Sequence, residues 1–290
     1  MDARHLRYFL AVVDHGTVSR AAEALYVAQP SLSQAIRALE RELGTELFQR
    51  VGRRLVLTSA GQALIEPARQ VVRGLENAKA QVDSVAAVRT GRVEIAAMPS
   101  QSVDPLIGMI QAFTAQYPGL TVTVRAAFTV DDVVARVRGG ETELGLVASP
   151  EPLTLAGIEV HRLGHQRFMV VAPPDGPFAG QDAVRAEELA GQRLIVGQVG
   201  SGMRRVVDEI QASGVALTEV VETEHREMIL PLVLAGVGVT VLTDAWTALA
   251  RRTGARVLEL TPPRSLHLSL ISRTDLTPAA RAFIAAVDMP

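Results

Sequence analysis

The 290 residues contain no cysteine. Disulfides, thiolate metal sites and cysteine-based redox switching are therefore excluded together. Aromatic residues make up only 4% of the chain, and a single tryptophan is among them. No apolar run approaches the roughly 20 residues that span a bilayer. The opening stretch, MDARHLRYFLAVVDHG, carries charges through its apolar part and offers no small-residue cleavage site. It does not read as an export signal, which predicts a cytoplasmic location. Neither sign of charge dominates, since the formal net charge is −2. Residues 1–90 hold 12 Lys and Arg against 9 Asp and Glu, and the remainder holds 17 against 22. The surplus is small, but its arginines cluster at Arg37, Arg41, Arg50, Arg53 and Arg54, a placement that suits a polyanion better than the count does.

What is present begins with three short helices and a hairpin. Leu6, Phe9, Leu10 and Val13 have helical spacing, and Gly16 stops that helix. Thr17 or Ser19 can cap the next, with Ala21, Ala22 and Leu25 facing inward. A third helix follows in VAQPSLSQAIRALERELG, with Pro30 in its first turn and Gly44 at its end. LFQRVGRRLVLT then alternates around a Gly52 turn as a β-hairpin does. From Thr58 a long helix is expected, bent by Pro67, whose apolar residues Leu64, Ala68, Val71, Leu75, Ala78, Val82 and Val85 keep a heptad seam. The seam points to pairing with a second long helix; an amphipathic helix lying on its own domain is the alternative. Beyond Gly91, short apolar strands alternate with helical stretches in the βαβ manner of parallel sheets, and VVAPPDGPFAGQD reads as a loop crossing between two lobes.

The third helix carries two kinds of face. Leu32, Ile36, Leu39 and Leu43 form a stripe to bury, while Ser31, Ser33, Gln34 and Arg37 point elsewhere. A solvated face is the plain reading of the second set. Helix, turn, helix and a basic hairpin nevertheless make a winged helix-turn-helix, whose second helix enters the major groove. Gln29 can pair bidentately with adenine, and Arg37 can reach guanine or a phosphate. Ser31 and Ser33 suit phosphate oxygens near a helix N-terminus, and Pro30 and Gln34 share that end of the helix. Arg50, Arg53 and Arg54 on the wing would lie along the adjacent backbone or minor groove.

LRYFLAVVDHGTVSRAAEALYVAQPSLSQAIRALERELGTELFQRVGRRLVLTSAG resembles the DNA-binding head of LysR-type transcriptional regulators, and the paired alanines, QPSLSQAIRALE, LGTELFQR and LTSAG are specific together. The likeness continues more loosely through YPGLTVTV, GGETELGLV, ELAGQRLIV and LVLAGVGVTVL. Glu143 stands where that family usually has aspartate, and Thr243 where proline is usual. The resemblance implies a winged helix-turn-helix domain over residues 1–58 and a dimerising linker helix over 59–90. An effector-binding α/β domain over 91–290 follows, similar to periplasmic binding proteins. Its two lobes are expected at about 91–165 with 268–290, and about 166–267. It implies a homodimer or homotetramer on an inverted-repeat operator, with Leu64, Ala68, Val71, Leu75, Ala78 and Val82 at the pairing surface and RNA polymerase as a further partner. A small anionic effector is expected between the lobes, near Pro99, Ser100, Gln101, Ser102, Phe128 and Thr129 on one side. Gln198, Gly200, Ser201 and Gly202 would face it from the other. Strand ends and helix N-termini are where such ligands collect. For each of these residues a loop-capping role is the plain alternative. His225 and Arg226 can add charge to the cleft, with a surface position as the plainer expectation.

Other readings carry less. GSGMRR and GVGVTV each lack the third glycine of a dinucleotide fingerprint, and no P-loop, HExxH or GxSxG occurs. His161 and His165 have no cysteine near them in sequence to complete a ligand set. No cofactor, metal or catalytic activity is expected, and peroxide sensing through a cysteine pair is excluded. The rival readings are a solute-binding protein without a DNA role and an enzyme on an α/β scaffold.

Overall fold

Residues 2–51, 54–83 and 91–287 are described in the computed structural model. The chain divides near residue 88 into two compact units.

In the first unit the helices are α1 (Ala3–His15), α2 (Val18–Ala24) and α3 (Gln29–Leu43). Asp2 caps α1 by accepting from the Arg4 N–H at 2.9 Å, and Gly16 ends it at φ +71°. Thr17 caps α2, and Gly44 closes α3 at φ +67°. The wing pairs β1 (Phe48–Val51) with β2 (Arg54–Leu57) in antiparallel register, Phe48 opposite Leu57. Leu6, Phe9, Ala21, Leu32, Leu39 and Leu47 are buried in one core. At about 1.5–3 kcal/mol per buried large side chain, that shared stripe holds α3 in place.

Helix α4 (Ser59–Asp83) is capped by Thr58, whose Oγ1 accepts from the Gly61 N–H at 3.0 Å. Its first turns belong to the head. Ala68 is buried in the head core, and Leu64 packs against it. Two of the six expected pairing residues are thus already used within the chain, and this corrects the seam. Val71, Leu75 and Ala78 are exposed, while the Val82 side chain lies outside the described residues.

The second unit is built on mixed sheets rather than the expected parallel ones. Strands β3 (Gly91–Ala97), β4 (Leu120–Ala126) and β5 (Leu144–Ser149) run parallel to one another. Antiparallel β12 (Ser265–Ser272) separates them from β6 (Glu159–Ala172), giving the order β4-β3-β5-β12-β6. On these strands pack α5 (Pro99–Val103), α6 (Leu106–Gln116), α7 (Val130–Arg138) and, from the chain's end, a helix at Pro278–Ala286. Gly145 lets α7 close on β5, since a Cβ there would meet Val133 at 2.5 Å and Ile271 at 2.8 Å.

Strand β6 then continues into the second sheet. Its Phe168–Val171 segment pairs with β10 (Val239–Thr243), and its last residues pair with β11 (Arg256–Thr261). Beyond β10 lie β8 (Arg193–Gly197) and edge strand β9 (Thr218–Thr223), and β7 (Ala183–Arg185) flanks β11. The crossing is therefore made by a 14-residue strand with a bulge against Leu268/Ser269, not by VVAPPDGPFAGQD, most of which follows β6. Helices α8 (Gly202–Ala212), α9 (Arg226–Leu234) and α10 (Thr247–Arg252) cover this sheet, and the final helix is α11.

Candidate functional site

In the head, α3 divides as its period demands except at its end, where Leu43 of the expected buried stripe is exposed. Leu32, Ile36 and Leu39 are buried, whereas Gln29, Pro30, Ser31, Gln34 and Arg37 are exposed and Ser33 is half-buried. Ala28 supplies no side-chain cap, so the opening N–H of α3 stays available to an anion. Among the described residues Arg37 has no acidic partner, while Arg41 folds back to donate to the Arg37 carbonyl at 3.3 Å. Glu40, which sequence reasoning passed over, accepts from the N–H groups of Leu47 at 2.9 Å and Phe48 at 3.3 Å. One carboxylate thereby fixes where the wing leaves α3. Arg50 is exposed on β1. Arg53 lies outside the described residues, as does the side chain of Arg54. Tyr26 was also missed. It sits between α2 and α3 at φ +54° and is 97% exposed, a conformation that disfavours any residue but glycine or asparagine. Nothing in its residue type announces that placement.

In the second unit, a recess opens where α5, the start of α8 and the end of β10 converge. Its apolar wall is Met98, Phe128, Phe168, Met203, Leu242 and Leu266, and its polar groups are Ser100, Gln101, Ser201, Thr243 and Arg226. It holds about 440 Å³ of space continuous with solvent. A groove beside it, sharing Pro99, Phe128 and Arg226, adds about 760 Å³ and reaches Ser102, Glu224, His225 and Glu227.

Of the expected effector residues, Ser100, Gln101, Phe128, Ser201 and Gly202 meet at the recess, and Ser102 lines the groove. Thr129, Gln198 and Gly200 line neither. Two of these hydroxyls cap helices and a third bonds back within its own helix. Thr129 Oγ1 accepts from the Asp132 N–H, Ser102 Oγ donates to the Pro99 carbonyl, and Ser201 Oγ accepts from the Arg204 N–H while donating to the Gln198 carbonyl. Gln101 Nε2 donates to Gln166 Oε1, whose amide donates to the Asp104 carbonyl at 2.7 Å. Arg226 corrects the surface expectation, because it lines the recess and burial lowers its pKa. His225 is exposed, with Nδ1 3.0 Å from Glu227. Thr243, at the position where proline is usual in the resembled family, ends β10 with Oγ1 buried and unpartnered. Among the described residues no three His, Cys, Asp or Glu side chains cluster as a metal requires.

Asp104 closes α5, and its pKa is raised by burial and then by the charge of Asp244. With a native pKa above the unfolded one, its ionisation opposes folding. The favourable state persists below the unfolded pKa and is lost as pH rises through the native one. Asp104→Asn is therefore expected to melt at higher temperature than the parent at neutral pH. That gain should vanish as the pH drops below about 4. Equal melting temperatures at neutral pH would contradict it.

A helix-turn-helix head with a wing, followed along the chain by a two-lobed α/β domain with a recess at its strand ends, is the build of a ligand-responsive DNA-binding regulator. Comparison with known proteins gives the family. Residues 3–62 match the model of bacterial regulatory helix-turn-helix proteins of the lysR family, and residues 86–289 match the LysR substrate binding domain. The chain belongs to the LysR family of transcriptional regulators. It is 32% identical over 295 residues to the HTH-type transcriptional regulator TfdS of Cupriavidus pinatubonensis, covering 98% of this chain and 97% of that one. A solved full-length OxyR variant from Pseudomonas aeruginosa shares the fold at TM-score 0.77 and 22% identity, over 100% of this chain and 94% of that one. Full-length CbnR complexed with target DNA does so at TM-score 0.70 and 22% identity, over 99% of each. No helix among the described residues is long and apolar enough to cross a membrane.

Proposed function

We propose that this regulator works in the cytoplasm as a homo-oligomer without enzymatic activity, reading an operator of inverted half-sites through two copies of its head. In each copy the first turns of α3 enter the major groove, with Gln29 on base edges and Arg37 and Ser31 on base or phosphate. The wing arginines lie along the flanking backbone. A small molecule bound in the recess of the second unit shifts the arrangement of the oligomer and, with it, the bend of the bound DNA. CbnR, of the same fold, has been solved with its target DNA, and the same use of the head is inferred here. The main support within the chain is the exposed face of α3, where Arg37 has no acidic partner among the described residues.

Fluorescence anisotropy on DNA flanking the protein's own gene tests the contacts. Arg37→Ala is expected to weaken binding about tenfold on every sequence and to flatten the salt slope by about one. Gln29→Ala is expected instead to relax preference at one base pair, by about 1–3 kcal/mol. Parent-like binding by both variants would overturn this assignment of contacts.

A further inference from the structure

The recess holds a cation, Arg226, that no carboxylate among the described residues neutralises. Arg226 opens α9, yet its guanidinium lies over the end of β8, where a Cβ on Gly197 would come within 2.8–3.0 Å of it. Only a glycine at that strand end leaves room for it. Nη1 points to the thioether sulfur of Met203 at 2.7 Å, a weak acceptor, and Nε is buried without a partner. Glu227, its sequence neighbour, is turned to His225. Among the described residues Arg226 has no ion-pair partner. Arg226 is half-buried, and a charge partly withdrawn from water is costly unless something pairs with it.

Two further observations converge on the same space. Thr243 lines the recess, is only 5% exposed, and leaves Oγ1 with no hydrogen-bond partner. Gly202 and Met203 open the 11-residue helix α8 against the recess, and their N–H groups precede the first intrahelical acceptor. Among the described residues the recess is lined by no acidic residue and by no second cation.

We infer that the recess receives the carboxylate end of a singly charged small molecule, with Arg226 as its anchor and Thr243 Oγ1 and the opening N–H groups of α8 as its remaining donors. This rests on reading the recess as the effector site. A carboxylate matches a guanidinium edge two-to-two, and its size suits the recess. The surrounding wall of Met98, Phe128, Phe168, Leu242 and Leu266 calls for an apolar body. The adjoining groove carries Glu224 and Glu227 beyond Arg226, with His225 meeting only Glu227 among the described residues, so a second carboxylate on the far end is disfavoured and a neutral or cationic end is accepted. Selection for one negative charge is thus built from both sides: one cation to meet it and two glutamates against another.

The protein carries its own reporter. Trp246 is the only tryptophan, and its Nε1 donates at 3.2 Å to the hydroxyl of Ser100, which lines the recess. Tryptophan fluorescence and thermal shift of the full-length chain, titrated with butanoate, hexanoate and phenylacetate, read occupancy directly. The amides of these acids, and the dianions succinate and adipate, are the comparison. At least one monocarboxylate is expected to give a saturable response at about 1 mM or below, with its amide and the dianions at least about tenfold weaker. Arg226→Gln is expected to weaken the monocarboxylate by about 30-fold or more, without lowering the melting temperature of the free protein. Thr243→Val should weaken it about fivefold. An equal response to amides or dianions overturns the inference. So does unchanged affinity in Arg226→Gln, or silence of every monocarboxylate up to about 10 mM.

Failure of the carboxylate assignment is separable from failure of the site. Gly202→Leu fills the recess, because a Cβ there already lies 3.2 Å from Leu266 Cδ1, and Leu266→Phe fills it from the opposite wall. A ligand of another charge class that both variants abolish keeps the recess as effector site and overturns the carboxylate. A ligand whose response survives both, with both variants folded, overturns the site and this inference together.

Discussion

Placing glutamate at both Val71 and Leu75 is expected to split the oligomer and to cost about 100-fold or more in operator affinity, with the head still folded. Val71 is 43% and Leu75 48% exposed on α4, and Ala78 follows on the same heptad spacing. Among the described residues nothing covers these side chains to the degree that the head core covers Ala68, which is 1% exposed. Charges there therefore do little to the monomer's own packing but face one another across a paired seam. The DNA penalty arises because two heads held together bind their half-sites with an effective concentration that single heads lose, a factor of about 10²–10⁴. Sedimentation and anisotropy on an inverted-repeat fragment measure the two effects. A variant that keeps the parent's mass and affinity would remove α4 from the pairing surface.

Gly61→Ala is expected to unfold the head while sparing the second unit. A Cβ at Gly61 would stand 2.1 Å from the Leu47 carbonyl oxygen and 2.8 Å from Leu57 Cδ2. The first of these atoms is backbone, and the Glu40 carboxylate holds the N–H of the same residue. The carbonyl cannot retreat without disturbing the junction of α3 and the wing. Overpacking at such a site costs about 3 kcal/mol or more. Calorimetry should show the transition of the first compact unit falling or disappearing while the other stays in place. Superimposable thermograms for parent and variant would contradict the packing described for Gly61.

The elements of the head were legible because their information is local. The spacing of Leu6, Phe9 and Leu10, the cap at Thr17 and the stops at Gly16 and Gly44 act within one or two turns of the residues they govern. The seam of α4 was legible as a period but not as a division of labour. Whether Ala68 faces a second chain or α1 depends on how the head folds back, which the period does not state. In the second unit, strands were legible but their partners were not. Strand β6 pairs with β12 about a hundred residues later, in opposite direction, and that pairing carries the chain between sheets. Hydroxyls in the recess were the least legible, since capping and ligand binding ask for the same residue types at the same helix starts. Thr129 and Ser201 proved to cap, and Ser102 bonds back to a carbonyl of its own helix. For Arg226 the sequence left cleft and surface both open, because the room it needs to turn inward comes from the missing side chain of Gly197, far from it in sequence.

Hydroxyl-radical footprinting of the full-length protein on DNA flanking its own gene, at low ionic strength and with the mass measured in the same buffer, is the most direct test of DNA reading by paired heads. The expected result is a dimer or tetramer that protects two half-sites centred about 10 base pairs, or a multiple of that, apart. Protection should fade steeply as salt rises. A lone subunit that leaves every promoter fragment unprotected would contradict it.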